Sequence, residues 1–352
     1  MTSLGMRHYC GSGLIVILLL SAMPGMLHAR SLKVYTLPDY LAPELVSEFE
    51  QLHDTTIEFS YFDSDEARDQ ELAITNGSGH DVLLVNRLQI PKYVRRAWLH
   101  PLSTEDIPNM RHIDQRWSDT LGDVSHYAVA SLWGILGIGY RQDQIPEGLG
   151  SWKELLQPRD ALRNRISMPA YTRELIAIAM KKNDLSVNTS DEAMIVEAGR
   201  QLLEQKPFVR YYGYPLLDEN SDLVTGKVWA GAFYNGDVLS LQRFNNNIRF
   251  VFPEEGGIIW SGYLAVAQSS NNKSLAFAFI DFLNEPTVAA RQAEFSSLAT
   301  PNKAARAHLP KAYLEHPDIH PAGDMIERSE FLESLPPRSQ KQINIIGTQL
   351  IH

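Results

Sequence analysis

The sequence predicts an α/β protein of two lobes with a hinge and an inter-lobe cleft. Strand and helix patterns alternate through residues 32–85, a second α/β run begins near residue 151, and no Pro/Gly/Ser-rich linker separates the two. Alternation of this kind builds a parallel sheet with helices on its faces. Two such units without a flexible linker imply that the chain crosses between them more than once, and several crossings make a hinge and a cleft.

Leu32-Lys33-Val34-Tyr35 is a short strand pattern, and Pro43 and Glu44 suit the start of a helix in which Leu45, Val46 and Phe49 recur at helical spacing. Residues 56–62 form a second strand pattern, and an acidic helix follows over 65–72. Asn76-Gly77-Ser78-Gly79 is a turn, after which Asp81-Val82-Leu83-Leu84-Val85 reads as a buried parallel strand. Ligands of such sheets sit beyond the carboxyl ends of the strands, so residues 36–40 and 86–88 are site candidates by topology. Residues 127–130 and 133–140 are two apolar stretches, and Ser151-Trp152-Lys153-Glu154 has the form of a capping box. Strands at 165–168, 228–234, 248–252 and 257–267 and helices at 174–182, 191–204 and 273–283 complete the pattern.

The amino-terminal segment is read as an export signal. Arg7 and His8 precede the apolar run from Leu14 to Leu20, Pro24-Gly25 breaks it, and small residues lead to a cleavage point after Ala29. The unbroken apolar core is short for a membrane span of ~20 residues. Removing 1–29 takes away Arg7 and Cys10 and no acid, leaving 31 basic against 42 acidic residues and no cysteine. A chain of this size that needs no disulfide fits the periplasm. Its negative charge opposes binding to nucleic acid, and thiol or zinc-thiolate chemistry is excluded.

Phosphate-binding glycine loops, a G-x-S-x-G elbow and H-E-x-x-H are all missing from the sequence. No cofactor is expected, and no metal. Adjacent Tyr211 and Tyr212 raise ferric iron as an alternative, against the ordinary reading of a half-exposed strand end. The stronger signal is aromatic and acidic residues near turns: Asp39-Tyr40 after the first strand, Glu174 at a helix start after Tyr171, Tyr234 to Asp237 after a second-lobe strand, and Trp260. Carboxylates give charge-assisted hydrogen bonds to an alkylammonium, and ring faces cover its methylenes. Each residue also has a structural alternative as a cap, a turn or a core residue. Asp39, Glu174 and Asp237 without a nucleophile or metal are not a catalytic mechanism.

These residues, together with Asp81-Val82-Leu83-Leu84-Val85, Trp133 to Tyr140, Pro253-Glu254-Glu255-Gly256-Gly257 and Pro301-Asn302, make the chain resemble the periplasmic spermidine/putrescine-binding proteins of bacterial polyamine uptake. The resemblance runs from about Leu32 to Asn302. It implies a type II periplasmic binding protein, not an enzyme, divided as 30–138 plus 262–306 and 139–261 plus 307–352. It also implies a small cationic amine as ligand, gripped by Asp39, Tyr40, Asn86, Tyr171, Glu174, Tyr234, Asp237 and Trp260. The implied partner is an inner-membrane ABC permease; the alternative is the periplasmic domain of a membrane signalling receptor, as for relatives that sense norspermidine. Departures from the family pattern are Leu37 for a Trp, Asn86 for a Ser, Tyr171 and Gly262 for acids, and Leu298 for a Tyr. Losing one carboxylate removes a bond worth ~1.5–3 kcal/mol, tenfold or more in affinity.

Overall fold

The computed structural model describes residues 1–2, 30–62, 64–321 and 323–351, so the expected export signal lies outside the described residues. The strands are β1 (Arg30–Thr36), β2 (Thr55–Tyr61), β3 (Val82–Asn86), β4 (Leu99–His100), β5 (Val129–Arg141), β6 (Ile166–Met168), β7 (Val209–Tyr212), β8 (Ala230–Tyr234), β9 (Ile248–Val251), β10 (Ile258–Ala267) and β11 (Glu330–Phe331). Eight of them hydrogen-bond in the order β2-β1-β3-β10-β5-β8-β6-β7, while β4 and β11 pair with β10 and β9 with β5. At one end β2, β1 and β3 are mutually parallel, and at the other β8, β6 and β7 are. The long strands β5 and β10 lie antiparallel between them.

Two main cores divide this sheet, with a smaller third cluster of Leu223, Val228, Phe233, Val238, Leu241, Ile248 and Phe250 beside the second. One gathers side chains from Leu32 to Ile135 and from Ile259 to Ile319; the other runs from Leu136 to Ile258 and returns at Leu332 to Leu350. The change of core falls at Ile135/Leu136 in β5 and at Ile258/Ile259 in β10, residues that are register partners. A third crossing lies between Ile319 and Leu332. Three crossings at one place define a hinge, as expected of two lobes sharing several strands of chain. The expected division put all of 307–352 in the second lobe, but Leu309 and Ile319 pack in the first core, because Tyr313 and its neighbours cover that lobe.

Local chemistry explains the elements. The two apolar stretches at 127–130 and 133–140 join, from Val129 onward, in one strand, β5, buried along nearly its whole length because it carries both cores in turn. The capping box at Ser151 and Glu154 is formed, and it opens the helix Trp152–Leu156. Trp152 is 0% exposed, and its indole N–H donates to the Gly256 carbonyl at 2.9 Å. Trp152→Ala empties the second core and orphans that carbonyl, so it should cost ~3–5 kcal/mol. Urea unfolding followed by tryptophan fluorescence and circular dichroism checks this.

Candidate functional site

The carboxyl ends of the parallel strands in both lobes supply the site, the position open α/β sheets use for ligands. After β6, Tyr171 is the N-cap of the helix Thr172–Lys182 and Glu174 lies in its first turn. After β8, Tyr234 is the N-cap of the helix Asn235–Gln242, with Asp237 in its first turn. First-turn acids favour a helix dipole, but these two also meet aromatic hydroxyls. The Tyr234 hydroxyl donates to Glu174 Oε1, and the Tyr234 ring lies 6.2 Å from that of Trp260. Tyr214, two residues beyond β7, donates its hydroxyl to Asp237 Oδ1 at 2.7 Å. Asp237 Oδ2 is buried with no hydrogen-bond partner.

Desolvation governs both acids. Burial pushes the Glu174 carboxyl up to about 7; the Tyr234 hydroxyl opposes the rise, and the charges of Asp65 and Glu66 add to it. Burial likewise pushes Asp237 up to about 7 against the Tyr214 hydrogen bond. Among the described residues no Lys, Arg or His pairs with either acid. Two desolvated carboxyls without a counter-cation leave a negative site that a cationic guest would complete.

Asp65 and Glu66 were missing from the expected set. They begin the helix Asp65–Ile74 after β2, where Ser64 caps the first turn. Asp65 is raised by burial, paired with Arg68 at 2.7 Å, and accepts from Asn86 Nδ2. Its charge reaches Tyr171, Glu174 and Tyr234, so a first-lobe acid faces the second-lobe cluster. Asn86 therefore enters the site by holding Asp65. The signal was available: the strand-end rule applies to β2 as it does to β1 and β3.

Tyr40 is buried beside the wall, its hydroxyl 2.8 Å from where a Cβ on Gly262 would stand; that Cβ would lie 3.4 Å from Trp260. Asp39, also in the expected set, stands apart from this cluster: it is exposed and sits in the left-handed region at φ 53°, beside the buried Tyr40. Arg87 is occupied elsewhere: it donates to the carbonyls of Thr120 at 2.8 Å and Leu332 at 3.1 Å and pairs with Glu333 at 3.4 Å. Tyr211 and Tyr212 belong to different apolar clusters, since successive strand residues face opposite ways, and so they do not converge on one ion.

Tyr40 and Gly262 compete for one space, which makes a prediction. Gly262→Asp, which restores the family acid, should lower rather than raise amine affinity, because the new Cβ meets the buried phenol. Adding Tyr40→Phe should recover part of the loss. Titration calorimetry on the single and double variants checks the order.

The fold and site define a two-lobed solute-binding protein with its binding cleft at the lobe interface. The chain belongs to the family described as bacterial extracellular solute-binding protein, whose model matches residues 44–321. Membership makes it an extracellular solute-binding protein, a binding rather than a catalytic class. It is 26% identical over 335 residues to the spermidine/putrescine-binding periplasmic protein of Salmonella typhimurium, covering 92% of each chain. It is 29% identical over 294 residues to the norspermidine sensor of Vibrio cholerae, covering 83% of this chain and 80% of that one. The crystal structure of the spermidine/putrescine ABC transporter substrate-binding protein of Streptococcus pneumoniae superposes with a TM-score of 0.79 at 22% identity, covering 92% of this chain and 98% of that one. The shared architecture is the type II periplasmic binding-protein fold.

Proposed function

We propose that this protein binds a polyamine or related amine in the periplasm and delivers it to an inner-membrane ABC permease, after export directed by residues 1–29. One observation carries the reading: Glu174 and Asp237 are desolvated carboxyls just beyond β6 and β8, raised to about 7 and, among the described residues, without a basic partner. An ammonium supplies the missing charge, and Tyr234 and Trp260 supply ring faces for the chain between ammonium groups. The names of the related proteins point to the same ligand class. Closure would follow from contacts that both lobes make only around the ligand, since a ligand moves an equilibrium through differential affinity alone.

The test is calorimetry of refolded, ligand-free protein with putrescine, cadaverine, spermidine, norspermidine and spermine. Heat with at least one member is expected; silence across the whole panel rejects the amine reading. A second reading, a sensor whose ligand state is read by the periplasmic domain of a membrane receptor, is supported by the 29% identity to the norspermidine sensor and by Gly262 replacing a family acid. A transmembrane signalling gene beside this one, in place of permease and ATPase genes, favours the sensor.

A further inference from the structure

In the second lobe, acids alternate with tyrosine hydroxyls. Tyr234 donates to Glu174, the Tyr234 phenol also feels the Asp237 charge, and Asp237 accepts from Tyr214. The series ends at Tyr214. That residue is 63% exposed, yet its hydroxyl turns inward to an acid that is only 9% exposed. The Tyr214 side chain therefore stands between Asp237 and solvent. It reaches this place because β7 ends at Tyr212 and the Gly213 N–H donates to the Met168 carbonyl at 2.9 Å, which carries the chain past the ends of β6 and β8. With Oδ1 taken by the Tyr214 hydroxyl, the buried and unpartnered Oδ2 is the remaining acceptor of Asp237.

We propose that Tyr214 is the end wall of the amine slot and sets the length of ligand the protein accepts. The inference rests on the amine reading above and adds the residue that selects among amines. An ammonium arriving from the Trp260 side meets Asp237 Oδ2 and is stopped by the Tyr214 ring. An amine that extends past Asp237 must displace that ring. Selection is then by chain length, through a steric end rather than through an added charge.

The ring is largely exposed, so its truncation leaves the cores intact. The experiment is calorimetry of wild type, Tyr214→Ala and Tyr214→Phe with putrescine, cadaverine, longer α,ω-diamines through diaminooctane, spermidine and spermine, with thermal unfolding as a fold control. Tyr214→Ala should shift preference toward longer amines by about tenfold or more in the ratio of affinities. Tyr214→Phe keeps the ring and should keep the wild-type ratio. An unchanged ratio in Tyr214→Ala overturns the wall, and so does an equal shift in Tyr214→Phe, which would assign selection to the hydroxyl. Wild type that binds none of these amines defeats the amine reading itself, an outcome distinct from either.

Discussion

Glu174→Gln is expected to lower amine affinity by about a hundredfold or more at pH 8 while making the ligand-free protein more stable. Removing one member of a buried charge pair costs ~3–5 kcal/mol, and the half-buried position of Glu174 puts the loss at the low end of that range. The stability gain has the opposite origin. With no amine present, the Glu174 carboxylate is a desolvated charge without a counter-ion, and its pKa is about 7 rather than 4.5. Each unit of such a rise corresponds to ~1.4 kcal/mol between protonation states, so neutral Gln should relieve on the order of 1–3 kcal/mol at pH 8. Calorimetry and thermal unfolding of the same samples measure both effects. A variant that loses binding and also melts lower would return Glu174 to a structural role.

Acidification is expected to weaken binding steeply between pH 8 and pH 5. Amines of this class remain charged throughout, as a lysine does. The acids do not: Glu174 and Asp237 both titrate near 7 when the cleft holds no ligand. A bound ammonium holds both as carboxylates, so binding near pH 7 should release protons and affinity should fall toward pH 5, by about a hundredfold for each acid that contacts the ligand. For ligand-free stability the sign reverses. Their folded values lie above the unfolded 4.5 and 3.8, so the folded state holds more protons within that window. Stability contributed by these groups is thus present at pH 5 and is lost as pH rises through about 7. Binding heats in buffers of differing ionisation enthalpy count the protons. Zero net release at pH 7 would falsify the assignment of either acid as an ammonium ligand.

Much of the fold was legible because its signals are local. The alternating patterns of 32–85, the capping box at Ser151 and the helix Lys273–Leu283 each follow from nearest neighbours along the chain. Glu174 and Asp237 were legible as acids at helix starts after strands, and Tyr234 and Trp260 as rings nearby. Asp65 was not, because an acid behind Ser64 is satisfied as a helix-start residue, and only packing brings its charge to Glu174 and Tyr234. Tyr214 was not legible either, because only packing brings its hydroxyl to Asp237. Asp39 and Tyr40 share a turn, yet only Tyr40 is buried, and the left-handed backbone at Asp39 could not be read from the sequence.

By itself, the sequence determined the class of architecture, the acidic and cysteine-free character of the chain beyond residue 29, and the kinds of side chain a cationic solute requires. Tertiary structure alone decided which acids lose water and which keep it. Desolvation depends on what the second lobe and the crossing strands lay over each carboxyl, and that covering comes from residues far away in the chain. Asp237 is buried beneath Tyr214 and Asp39 is left in solvent for this reason, although both are single acids in turns after a strand.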